Sequence, residues 1–211
     1  MTMQRAGALA LAFGALGYIT LMAVHPSHAG GHPIIGTFSL SGVVHATALV
    51  LKPVLLFGFV VFTRDQGFDR PLPALALCFY ALGSVFTMLA GTMSGLMFPH
   101  IVDAAHTPGA DMESMRLLGG YTTWLNRSFA QIHTDMMAIA ILLWCVGWAA
   151  RTPLAWVARI AGIVAALGIL GWHLSGTMNL EARQGALIVT VAQGLWTLLV
   201  ATNLFMHKER A

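Results

Sequence analysis

The chain has 211 residues, of which 57% are hydrophobic and only 9% charged. A soluble domain carries about 25% charged residues, so this composition excludes a water-soluble globule: lipid must cover apolar surface that no core of this size can hide. The net charge of +3 comes from scattered basic residues. No basic stripe interleaved with aromatics is present, which argues against nucleic acid as a partner.

Six apolar runs reach the roughly 20 residues that a helix needs to cross a bilayer core. They span residues 5–24, 39–62, 73–98, 128–150, 153–176 and 185–206. The sequence thus predicts an all-α, polytopic membrane protein: one bundle of six transmembrane helices forming a single domain, with the lipid bilayer as its first partner. The first run follows Arg5 and resembles a leader. It exceeds the usual apolar stretch of a signal peptide, about 7–15 residues, and is expected to stay as a helix. The segment after it carries His25, His28 and His32 among Gly, Ser and Pro, a candidate cation loop or a solvated turn.

The second run holds His45 and, seven residues on, Lys52. The third starts at Pro73, where a missing N–H costs nothing. Its Gly91 and Gly95 form a GxxxG that suits close helix packing within the bundle or between two copies. Met93, Met97 and His100 fall at i, i+4 and i+7, on one helical face. In the loop that follows, Asp111 is expected to cap a short amphipathic helix ending at Gly119-Gly120. The fourth run carries His133 and Asp135, the fifth Gly162, Gly168, Gly171 and His173, and the sixth Gln193.

One set of loops and ends carries Arg5, Arg64, Arg70, Arg151, Lys208 and Arg210, against Arg116, Arg127 and Arg183 on the other. The positive-inside rule places both termini in the cytoplasm, and a bacterial inner membrane is the expected location. Cys78 and Cys145 lie inside apolar runs and outside any CxxC, so no disulfide framework, cysteine zinc site or iron–sulfur cluster is indicated.

Three kinds of residue carry candidate chemistry. His45, His133 and His173 sit inside three different helices, in the half that this topology calls outer. Imidazole in lipid is expensive unless it has a partner, and a metal is one partner that neutral imidazole serves well. The three are expected to converge on a haem b or metal site, with His45 and His133 as first choice for axial ligands. His25, His100, Met93 and Met97 would add soft thioether and imidazole ligands that favour copper, and zinc fits the imidazoles too. Lys52 and Asp135 are charges deep in hydrocarbon, where each must face the interior. Pairing across the second and fourth helices is the simplest way to satisfy both.

The leading functional expectation is therefore a histidine-lined metal or haem centre near the outer face. It would serve electron transfer or copper handling, with a membrane redox partner or a second copy of the chain alongside. A small transporter or channel with a polar path through Lys52, Asp135 and Gln193 is the alternative. A metal-dependent membrane hydrolase and a scaffold subunit without chemistry also remain open, so no enzymatic activity is assigned.

Overall fold

The computed structural model describes residues 1–25, 40–180 and 183–206. Its helices are α1 (Met3–Ala23), α2 (Leu40–Gln66), α3 (Pro71–Thr92), α4 (Phe98–Ala105), α5 (Met112–Gly147), α6 (Pro153–Leu174) and α7 (Arg183–Met206), and a π-helical segment, Met93–Met97, joins α3 to α4 without a break. Among the described residues there is no strand. Six rods are long and apolar enough to cross a membrane, with α3, the π segment and α4 counting as one. The chain is an integral membrane protein by this architecture.

The rods form a closed ring in chain order. α1 packs on α2, α2 on α3, α3 on α5, α5 on α6, α6 on α7, and α7 returns to α1. Glycines bring α1 and α2 together. A Cβ at Gly7 would stand 2.6 Å from Val61 Cβ, and one at Gly58 would stand 2.6 Å from Leu11 Cγ, so only hydrogen fits. Packing of this kind replaces the hydrophobic drive that lipid does not supply. Gly95 also touches a neighbouring helix, pressing on His45, whereas Gly168 and Gly171 face open space.

Arg70 gives the bundle a common datum. Its guanidinium donates to Gln66 O at 3.3 Å and to Gly147 O at 2.6 Å. These are carbonyls at the C-terminal ends of α2 and α5, which lack partners of their own. The two helix ends therefore lie level. Above them the ring is filled by aromatic carbon. Phe59 stacks on Trp144 with centroids 4.7 Å apart, Trp144 on Trp196 at 6.0 Å, and Phe62 meets Trp148 edge-on at 5.1 Å. Trp144 Nε1 finds its acceptor in Thr63 Oγ1 at 3.0 Å.

α5 departs from the sequence expectation. Asp111 caps it as predicted, accepting from the backbone N–H of Glu113 and Ser114. The helix then runs through Gly119-Gly120 and on to Gly147, 36 residues in all. Glycine ends a helix by taking positive φ, and neither of these two does so. Mid-helix each costs about 1 kcal/mol relative to alanine, which is less than a new helix start would cost. The predicted start near residue 128 was only where the sequence turns uniformly apolar.

Candidate functional site

Depth follows from the datum. Lys52 lies 14 residues before Gln66 and His133 lies 14 residues before Gly147, which puts both about 21 Å above the Arg70 level. His45 lies 21 residues before Gln66, about 32 Å above it. The Lys52 ammonium indeed meets His133, donating to Nε2 at 3.4 Å, while His133 Nδ1–H donates to Gly83 O at 2.9 Å. The second bond fixes the tautomer: Nε2 keeps its lone pair for Lys52. The ammonium also sits 4.4 Å from the centroid of the Tyr18 ring, a cation–π contact. Tyr18 is held there by its own hydroxyl, which donates to Ala48 O at 2.9 Å.

The charge pair expected from sequence is thus redistributed. Lys52 takes His133 and Tyr18. Asp135 takes His173, whose Nδ1–H donates to Oδ1 at 2.6 Å, and Gln131 Nε2 donates to the opposite ring nitrogen at 2.5 Å. The reason is helix phase. His133 and Asp135 are two residues apart and point to different sides of α5. One faces the ring interior and α3, the other faces α6.

His45 keeps different company again. It is 6% exposed, and its Nε2 lies 2.8 Å from Ser94 Oγ and 3.3 Å from His25 Nε2. The predicted convergence therefore does not form as one cluster: His45 joins His25, His133 joins Lys52, and His173 joins Asp135. Met97 and His100 are exposed, and Met93 lies with them outside the cavity wall. Ser94 takes the inward place instead, on the helical face that Tyr80, Thr87 and Ala90 already present to the cavity. Among the described residues no three His, Cys, Asp or Glu side chains gather at one metal-sized site. His28 and His32 lie outside the described residues.

What His45, His25, His133 and Lys52 do share is a cavity. About 270 Å³ of space opens inside the ring, between α1, α2, α3, α5 and α7. Along α2 it reaches from Val44 to Phe59, 15 residues or about 22 Å. Its floor is the top of the aromatic stack, Phe59 and Tyr80. Most of the wall is apolar, and apart from Tyr18 and scattered threonines its polar side chains gather at two levels. Near the Val44 level are His25, His45, Ser94 and Asn126. Deeper stand Lys52, His133, Tyr80 and Gln193.

The deeper set contains donors without acceptors. Tyr80 is 2% exposed, and its hydroxyl has no hydrogen-bond partner. Ser84, one turn away, donates its own hydroxyl to Tyr80's backbone carbonyl at 2.9 Å. The Gln193 side-chain nitrogen is likewise buried without a partner. Lys52, 4% exposed, has an imidazole and an aromatic face for company, with no carboxylate of the described residues in salt-bridge range. Sequence reasoning singled out Lys52, His133 and Gln193 but passed over Tyr18, Tyr80 and Ser94. Each of these is a polar group inside an apolar run, and the cost argument that flagged the histidines flags them equally. Compared with protein-family models, curated proteins and solved structures, the chain matches none of them.

Proposed function

We propose that this integral membrane protein binds a carboxylate-bearing amphiphile, head inward, in the cavity of its helix ring. One observation carries the reading: at the deep end of an apolar cavity a phenol hydroxyl and an amide nitrogen lack an acceptor among the described residues, and beside them an ammonium has only a neutral imidazole and an aromatic face. Three donors select a group that only accepts, and an ionised carboxylate is that group. Lys52 supplies the charge, and Tyr80 and Gln193 supply the remaining hydrogen bonds. His133 and Tyr18 hold the lysine stem in place. The length and apolar wall of the upper cavity suit a hydrocarbon chain.

Binding is favoured over passage through the bundle because the aromatic stack underlies the site. A channel would need Phe59, Trp144 and Trp196 to part. Asp135, the other charge of the transport reading, sits with His173 and away from the cavity wall. The metal reading draws its support from a different pair, His25 and His45, at the other end of the cavity.

The test compares a long-chain carboxylic acid with its methyl ester, titrated against the purified protein in nanodiscs. Charge-assisted hydrogen bonds contribute about 1.5–3 kcal/mol, so the acid is expected to bind at least tenfold more tightly. Lys52→Met should abolish that preference. Equal binding of acid and ester by the native protein would overturn the proposal.

A further inference from the structure

The upper end of the cavity holds a second set of groups that carboxylate binding does not use. The geometry points to a transition-metal site at His25 and His45, of the kind that favours imidazole nitrogen. The two Nε2 atoms are 3.3 Å apart, with the rings 72° from coplanar. Nitrogens bound to one tetrahedral ion at about 2.0–2.1 Å stand about 3.3–3.4 Å from each other. The pair is already at the separation that a shared ion imposes.

The surroundings are built to hold His45. The ring lies under Gly95, where any Cβ would collide with it. Ser94 Oγ stands 2.8 Å from Nε2 and donates its own proton to Ala90 O at 3.1 Å. Without a metal, Nε2–H of His45 donates to Ser94 Oγ, and the lone pair of His25 faces the same hydrogen. With a metal, the neutral His45 ring carries its proton on Nδ1 instead. Both Nε2 lone pairs then turn to the ion, and no proton is lost overall. Met22, one turn before His25, lines the same cavity and adds a thioether for a soft ion. The remaining position, open to the cavity, falls to water or a ligand atom.

The probes are Zn2+, and Cu+ under a reductant, added to the chelator-washed full chain in nanodiscs. One equivalent of one of them is expected to survive desalting, and X-ray absorption should show two imidazole nitrogens on it. Retention should drop at least tenfold in His25→Ala and in His45→Gln, which keeps a hydrogen-bonding side chain against Ser94. Lys52→Met should retain the ion, which separates this site from the carboxylate site below. Failure of the native protein to retain either ion would overturn the inference. So would retention by both variants, or loss in a His28→Ala/His32→Ala chain together with retention in His25→Ala. Should His45→Gln not fold, the X-ray absorption spectrum of the native protein still decides.

Discussion

The half of the ring nearest Arg70 and the half nearest His45 are made by the same helices and filled in opposite ways. Below, Phe59, Phe62, Trp144 and Trp196 stack on one another; Trp144 Nε1 has an acceptor in Thr63, while Trp196 Nε1 is buried without one among the described residues. Above, the space stays open, and the Tyr80 hydroxyl and the Gln193 amide nitrogen on its wall are buried without a partner among the described residues. A bundle that can pack densely with aromatics in one half had the same option in the other. Lys52, Tyr80 and Gln193 stand where leucine or phenylalanine would cost less, and the proposed binding role gives the hollow half a reason to keep them.

That division can be broken by substitutions on either side of it. The largest stability effect is expected in the filled half: Trp144→Ala should cost about 3 kcal/mol in reversible unfolding, through lost contacts and a cavity. Its effect on carboxylate affinity should be small beside that of Lys52→Met. Next comes the α1–α2 seam. Gly58→Ala drives a methyl into Leu11 and a backbone carbonyl of Gly7, and overpacking of that kind costs about 1–3 kcal/mol. Asp135→Asn removes the charge and keeps an oxygen that accepts from His173 Nδ1–H. A hydrogen bond of this kind contributes about 0.5–1.5 kcal/mol and is retained, so unfolding should move little, and carboxylate affinity not at all.

The smallest effect is expected at the start of α5. The Asp111 carboxyl is held below its ordinary value by hydrogen bonds from the Ser114 hydroxyl and backbone. Its folded pKa is depressed, so the cap stabilises fully above the unfolded value of 3.8 and is lost as pH falls through the folded one. Amide exchange at Glu113 and Ser114 should quicken over that window, with α2 and α7 unchanged.

Much of the fold is legible in the sequence because hydrophobic run length is a direct consequence of bilayer thickness. Interior placement of Lys52 is legible for the same reason. Partner choice is not, because it turns on helix phase and relative depth. His45 and His133 both lie about two turns into their apolar runs. Yet α2 continues four residues beyond its run, to Gln66, and α5 stops three residues short of its run's end, at Gly147, so equal offsets hide a difference of about 11 Å. Helical spacing alone also does not say which face is inward: the face with Thr87, Ala90 and Ser94 lines the cavity, and the neighbouring face with Met97 and His100 stays outside. Tyr18 and Tyr80 were open to the same cost argument as the histidines, since each carries a hydroxyl into hydrocarbon.

The most direct test measures the unfolding midpoint of the native protein and of Lys52→Met, each with and without a long-chain carboxylic acid. A buried charge carries a desolvation cost that a hydrophobe of similar volume does not, and even whole buried ion pairs are often replaced by hydrophobes without loss of stability. Lys52→Met should therefore be at least as stable as the native protein when the acid is absent. Added acid should raise the midpoint of the native protein and leave that of the variant where it was. A variant that unfolds much earlier on its own, yet still gains the full shift from the acid, would contradict the account. Lys52 would then belong to the frame of the bundle rather than to the site it encloses.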